Sequence, residues 1–343
     1  MSQPAAPPLV VVGASAGGVE ALRELAAGLP ADLPACVLVV LHVPSASRSA
    51  LPLILDRAGP LPARHAAHGE GLVAGQVLVA PPDHHLVVVD DRVVLTHGPT
   101  ENGHRPAVDV LFRSASRSHG ARVFAIVLSG SLDDGAAGMV AVTSRGGVGA
   151  VQDFDEALYA GMPAAAARAA EVEHVVPVDS LPKLVQEWVA NVPDAQPEQP
   201  TRLMHMEAEM SELSPGAMHD LDRPGVPAGF GCPDCAGSLY QIEEGRLIRF
   251  RCRVGHAWSP ESLLESQGTA LESALWMALR SLEEKAALNT QLGKRAEDVG
   301  HRRSAARFSG NAEEALAAAE LVRRLVQDIG SRPGGHMPTA DDA

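Results

Sequence analysis

The chain has 343 residues, 46% hydrophobic and 20% charged, enough for two domains with at least one sizeable core. Its net charge is −14, and residues before and after position 192 share it equally (12 basic against 19 acidic, then 16 against 23), so neither part offers the basic footprint of a nucleic-acid binder. The opening MSQPAAPP carries no basic residue and no run approaches ~18 apolar residues, which argues against a signal peptide or membrane insertion and for a cytoplasmic protein.

Residues 8–192 alternate strand and helix patterns. Pro8–Gly13 is a Val-rich run, and Gly17–Gly28 places Val19, Leu22, Leu25 and Ala26 at helical spacing. Cys36–Leu41 and Val123–Leu128 are continuous apolar runs of the kind buried on both faces of a parallel sheet. Val77–Ala80 reads as another strand, and Leu86–Val89 and Val93–Leu95 form a hairpin about Asp90-Asp91. Helices are expected over Val108–Ser118, Ala136–Ser144, Pro163–Ala170 and Leu181–Val189, with strands at Gly149–Gln152 and His174–Pro177. This rhythm predicts an α/β fold: a mainly parallel, doubly wound sheet with helices on both faces.

Residues 193–228 are rich in Pro, Gly, Gln and Glu and read as a linker, with one short helix near Leu203–Leu213. A small cysteine module follows at 229–258. Residues 259–330 have helical periodicity, interrupted near Gly293 or Gly300, which predicts a C-terminal helical hairpin; 331–343 read as a disordered tail.

Ser15 lies in VVVGASAGG, just past the first strand and just before a helix. Backbone N–H groups there are unpaired and the helix dipole is positive, so the turn suits an oxyanion. The same turn could cradle a dinucleotide, but that reading requires an acid near the end of the second strand, where the sequence has Leu41-His42. A dehydrogenase of the short-chain class would also carry Tyr-x-x-x-Lys, and neither Tyr159 nor Tyr240 has Lys four residues on. Ser15 as a plain helix cap, His42 as a structural histidine and Asp134 as a turn residue are each ordinary. Their common position at carboxyl ends of strands is less easily accidental, because ligand sites of open α/β sheets form there. A nucleophile, a base and an orienting carboxylate could meet there without long-range contortion.

The stretches VVVGASAGGVEAL, LVVLHVPSASRSAL, VLVAPPDHHL, NGHRPAVDVLF, LSGSLDDGAAGM and QDFDEALYAGMPAAA, in that order, resemble the catalytic domain of the chemotaxis protein-glutamate methylesterases, the CheB-type family. The resemblance spans residues 9–190. It implies a carboxylic ester hydrolase of signal transduction that cleaves glutamate methyl esters on the cytoplasmic domains of methyl-accepting chemoreceptors, and that also deamidates certain receptor glutamines. Ser15 would be the nucleophile, His42 the general base and acid, and Asp134 the orienting carboxylate, with backbone N–H groups near Ser15 or Ser131 as oxyanion donors. No cofactor would enter the catalysis. The family pattern has Thr where Ala16 stands, and a Met and a further Gly in the loop that here reads Gly130-Ser131-Leu132-Asp133-Asp134-Gly135. Because the chain begins at the catalytic sheet, a form without a receiver domain is expected, its activity not gated by phosphorylation in cis. Asn102, His104, Arg105 and Asp109, ahead of a helix, are candidates for substrate recognition or support of the catalytic loops; Tyr159, Met162 and Pro163 are candidates for the site wall.

Cys232 and Cys235 in CPDC are followed, after 16 residues, by Cys252 and then His256. The C-x2-C…C-x3-H spacing fits a structural zinc site with three thiolates and one imidazole, four ligands leaving no open position for catalysis. A module of about 30 residues has too little core to fold alone, and zinc supplies what is missing. A redox role for CPDC lacks the βαβ setting it needs. The module resembles a C-terminal extension of some receiver-less methylesterase homologues, and with the helices after it could engage a signalling partner. Two rival functions stand beside the protein methylesterase: a catalytically weak scaffold acting through its tail, and a small-molecule esterase.

Overall fold

The computed structural model describes residues 6–193, 199–214 and 225–330. Parts of the expected linker, and the whole of the tail at 331–343, lie outside them. The chain divides into two compact units at Leu263/Leu264.

The first unit is built on a seven-stranded sheet. Its strands are β1 (Leu9–Ala14), β2 (Cys36–Leu41), β3 (Ala63–His65), β4 (Gln76–Val79), β7 (Val123–Val127), β8 (Val148–Gln152) and β9 (His174–Val176), in the order β3-β4-β2-β1-β7-β8-β9. Every neighbouring pair is parallel. The central strands are buried along their whole length, as their unbroken Val/Leu content requires. Val10, Val12 and Ala14 of β1 face one core, and Leu9 and Val11 face the other. The first core is closed by α1 (Gly18–Gly28), α2 (Leu51–Ala58) and α6 (Leu181–Val189), through Leu22, Leu25, Leu51, Leu55 and Val185. The second is closed by α3 (Val108–His119), α4 (Ala136–Thr143) and α5 (Gly161–Ala170), through Val108, Leu111, Phe112, Met139 and Ala166. The doubly wound sheet expected from the sequence is therefore the observed fold.

The hairpin β5 (His85–Val89) and β6 (Arg92–Thr96) stands as a separate antiparallel pair turning at Asp90-Asp91. Two elements escaped the sequence pattern. Strand β3 has only three residues and sits at the sheet edge, and α2 follows a polar Ser-rich loop with a Pro in its first turn. Within the expected linker, α7 (Arg202–Ser211) is capped by Thr201, whose hydroxyl accepts the Met204 N–H at 3.2 Å, and it buries Met204, Met206 and Met210.

The cysteine module is a four-stranded antiparallel sheet of β10 (Val226–Gly231), β11 (Ser238–Glu244), β12 (Leu247–Cys252) and β13 (Ala257–Trp258). The β11–β12 hairpin joins the two ligand pairs. Its core is small: Cys232, Leu239, Phe250, Cys252, Trp258 and Leu263. Beyond it run α8 (Pro260–Asp298) and α9 (Arg302–Gly330), interrupted at Gly300, whose φ of 78° ends the first helix, while Gly293 stays inside α8 facing Phe308. Within the second unit, Leu279, Ala286, Ala312, Ala315 and Ala319 are buried between the two helices.

Candidate active site

The register of the sheet brings two of the expected residues together. Ala14 pairs with Leu41 across β1 and β2, and the His42 N–H donates to the Ala14 carbonyl at 3.1 Å. Ser15 and His42 are thus the next residues on adjacent parallel strands, and both line one cavity of about 460 Å³ with Ser45, Thr100, His104 and Arg105. Asp134 arrives from the loop after β7. Its Oδ2 is 2.7 Å from His42 Nε2, with both side chains almost wholly buried (5% and 2% exposed).

The turn carrying Ser15 is held from several sides. The Ser15 N–H donates to Ser129 O at 2.9 Å, and the Ser129 hydroxyl donates to Ala16 O at 2.8 Å. Gly17 has a φ of 73°, a conformation in which a side chain would be strained and would also strike Ser129. Gly130 is needed for space: a Cβ there would lie 2.9 Å from the Ser15 Cβ and 2.1 Å from Met162 Sδ. Ser129 was not singled out in the sequence, although it opens the same LSGS stretch. Met162 and Tyr159 do not line the cavity. They buttress the turn behind Ser15, where the Tyr159 carbonyl accepts the Gly130 N–H. Pro163, buried in α5, does not line it either.

Asp134 accepts four hydrogen bonds: from Val108 N (2.7 Å) and His42 Nε2 (2.7 Å) on Oδ2, and from Asn102 Nδ2 (3.1 Å) and Asp109 N (3.1 Å) on Oδ1. Burial on its own would raise its pKa. The His42 hydrogen bond, the charges of His42 and His104, and the Val108 N–H outweigh that and hold it well below the usual carboxylate range. The two backbone donors belong to the first turn of α3, so the helix dipole acts in the same direction. Asp109 differs: burial first, then the Asp134 charge, raise its pKa well above the ordinary value.

Because Nε2 is taken by Asp134, the other ring nitrogen of His42, Nδ1, is the one left for a reaction. It is buried and has no hydrogen-bond partner. No hydrogen bond joins it to the Ser15 hydroxyl. The His104 ring stacks on His42 with centroids 3.7 Å apart and planes at 15°. Burial, and then the neighbouring His42 charge, lower the His104 pKa to about 4, so at neutral pH it is an uncharged plate against the ring. Arg105 is engaged with Asp83 and the Gly98 carbonyl.

The cysteine module brings its four expected residues to one point. Cys232, Cys235, Cys252 and His256 present ligand atoms all within 4.8 Å of one another. Three pair distances are 3.6 Å (Cys235 Sγ to Cys252 Sγ), 3.7 Å (Cys232 Sγ to His256 Nδ1) and 3.5 Å (Cys252 Sγ to His256 Nδ1). These match the edges of a zinc tetrahedron, about 3.5–3.8 Å for ordinary Zn–S and Zn–N bonds. Tight turns fix both pairs: Ala236 N donates to Cys232 O, and Gly255 N to Cys252 O.

With this geometry in view, the comparisons with known proteins are decisive for the family. The CheB methylesterase family model matches residues 10–185, just over half of the chain. The chain belongs to the CheB methylesterase family. It is 39% identical over 175 residues to a protein-glutamate methylesterase/protein-glutamine glutaminase of Xanthomonas oryzae pv. oryzae, covering 50% of this chain and 49% of that one. It is 36% identical over 181 residues to a protein of the same description from Koribacter versatilis, covering 52% and 50%. The crystal structure of the Thermotoga maritima CheB methylesterase catalytic domain superposes with a TM-score of 0.51 at 30% identity, covering 53% of this chain and 98% of that domain. The chain thus spans about half the length of the curated relatives it matches. Among the described residues no helix is long and apolar enough to cross a membrane.

Proposed function

We propose that this CheB-family chain is a protein-glutamate methylesterase acting on the cytoplasmic domains of methyl-accepting chemoreceptors in the cytoplasm, with residues 1–192 as the catalytic region. The observation that carries the reading is the state of His42: one ring nitrogen bound to a buried carboxylate, the other unpaired beside the cavity it shares with Ser15.

In this reading the Ser15 hydroxyl attacks the carbonyl carbon of the glutamate methyl ester and passes its proton to His42 Nδ1. Asp134, accepting from Nε2–H, fixes the tautomer and stabilises the imidazolium that forms. The backbone N–H groups of Ala16 and Ser131, which have no backbone acceptor among the described residues, are suited to receive the oxyanion. The tetrahedral intermediate collapses, the C–O bond to methoxide breaks, and the His42 proton leaves with it as methanol. Water then attacks the glutamyl–Ser15 ester with His42 as base, releasing the glutamate carboxylate and restoring the serine. The chemistry uses side chains and water only. Glutamine deamidation, the second activity in the relatives' description, would follow the same path with ammonia leaving.

Cys232, Cys235, Cys252 and His256 would hold a structural Zn2+, whose binding can supply about 10–16 kcal/mol toward folding a small module. None of the four lines the cavity shared by Ser15 and His42, so the ion would not touch the ester.

The test is methanol release from methylated receptor by the wild-type chain and by Ser15→Ala. The variant should lose about 10⁴–10⁶ in kcat with little change in KM. A wild-type chain that releases no methanol from methylated receptor overturns the proposal, and faster turnover of small aryl esters than of receptor would favour the small-molecule reading.

A further inference from the structure

The loop that supports the candidate active site is also gripped by the cysteine module. Residues 100–104 run as an isolated bridge alongside β13: the Asn102 N–H donates to Ala257 O at 2.8 Å, and the Ala257 N–H to Thr100 O at 3.2 Å. Thr100 also bonds to the Asp234 carboxylate, and Trp258 lies over Gly103.

Asn102 is the hinge of this contact. Its φ of 53° and its burial (8% exposed) fix its side chain, which faces two ways. On the catalytic side, Nδ2 donates to Asp134 Oδ1 and to Asp109 Oδ2, both at 3.1 Å. On the module side, Oδ1 accepts from Ser259 N (2.9 Å) and from Ser262 Oγ (3.1 Å). Two residues further on, His104 stacks on His42. The same short loop therefore touches both partners of the His42–Asp134 pair, and its own position is set by residues one to six places after the metal-ligand candidate His256.

We infer that Asn102 is a positioning residue through which the metal-held module sets the geometry of His42 and Asp134, so that metal occupancy at Cys232, Cys235, Cys252 and His256 controls the reactivity of Ser15. Without the metal, the turns that orient Cys252–His256 lose their fixed point, and β13 leads directly from them. Release of β13 frees residues 100–104, and with them one donor to Asp134 and the plate against His42. The sheet itself, with its separate cores, stays folded. The inference rests on the proposed hydrolase reading and on the Cys3His site.

The experiment uses the full chain loaded with zinc and the same chain stripped by a chelator, followed by two readouts. The first is the rate of covalent labelling of Ser15 by a fluorophosphonate; the second is amide hydrogen exchange. Stripping should slow labelling tenfold or more and speed exchange in residues 100–109, leave β1 and β2 protected, and be reversed by added zinc. Asn102→Asp, which keeps an acceptor for Ser259 and Ser262 but sets a third buried carboxyl against Asp134 and Asp109, should lose kcat with KM unchanged while zinc content and the protection of β1 and β2 are kept. Ser262→Ala, a milder change on the module side, should loosen 100–109 and slow labelling severalfold at full metal content. The inference is overturned if stripped protein labels at the loaded rate, if 100–109 stays protected, or if β1 and β2 lose protection together with the loop. Failure of the methyl-ester reading would look different: Ser15 would still label in a zinc-dependent way while no methanol appeared from methylated receptor.

Discussion

Asp109 and Asp134 exchange helix caps. Asp134, just before α4, accepts the Val108 and Asp109 N–H groups that open α3; Asp109, in the first turn of α3, accepts the Gly135 and Gly138 N–H groups that open α4. Neither helix has a capping side chain at its own N-cap, where Ala107 and Gly135 stand. The arrangement fixes Asp134 against two packed helices before it ever meets His42, and it leaves the two carboxyls unequal, Asp134 the acidic one and Asp109 the one pushed up by burial and by its neighbour's charge.

Asp134→Asn should therefore harm activity and stability together. An amide presents hydrogens either where His42 Nε2 and the Val108 N–H now donate or where Asn102 Nδ2 and the Asp109 N–H do, so one of these two pairs loses its acceptor. On the proposed mechanism kcat should fall by about 10⁴, the scale for removing the orienting carboxylate of a Ser-His-Asp triad. Stability should fall by about 1.5–3 kcal/mol, the scale of hydrogen bonds to a charged group, measured by urea unfolding.

Gly130→Ala tests the packing behind Ser15. The added methyl overlaps Met162 Sδ and presses on the Ser15 Cβ, so the turn must shift. Overpacking of this kind costs about 1–3 kcal/mol. Fluorophosphonate labelling of Ser15 should slow tenfold or more, and an unchanged rate would contradict the crowding.

A buried ion network ties β12 of the module to α3, α7 and the loop ahead of α3. Glu101 pairs with Arg113 and Arg251 at 2.6 and 2.9 Å, and Glu207 of α7 pairs with Arg249 and Arg251 at 2.7 and 3.1 Å. Burial would raise both carboxyls, but the arginines win and hold them below their ordinary value. Glu207→Gln leaves buried guanidinium charge uncompensated and should cost about 3–5 kcal/mol in denaturant unfolding. With folded pKa values depressed, the stability these glutamates contribute is complete above about pH 4.3 and fades as pH falls below it. The variant should accordingly show a weaker loss of stability on acidification than wild type.

Asp133 carries the opposite sign. Burial, helped by the Glu261 and Asp134 charges, raises its pKa to about 7 despite the hydrogen bond from Ser259 Oγ at 2.7 Å. The unfolded chain ionises this group near pH 4, so the folded state loses stability as pH rises from there to about 7, and the penalty is complete above. Asp133→Asn keeps an acceptor for Ser259 and removes the penalty. Its Tm should exceed that of wild type at pH 8, by about 2–4 °C per kcal/mol recovered, and match it near pH 4.

The sequence by itself determined the sheet and the chemistry brought to its rim. Runs such as Cys36–Leu41 and Val123–Val127 have no polar face, so they must be interior parallel strands, and residues that directly follow such strands, Ser15 and His42 among them, must emerge on one edge. The Cys3His spacing was equally legible, because two close ligand pairs on a hairpin leave few ways to close. Tertiary structure decided the rest: which nitrogen of His42 faces Asp134, that Asn102 looks both ways, that Ser129 secures the turn, and that Arg249 and Arg251 of β12 answer Glu101 and Glu207. None of these follows from local pattern. A hydrogen bond between residues more than a hundred positions apart, such as Ser259 to Asn102, is set by how two surfaces meet, and periodicity reports only which face of each element is buried.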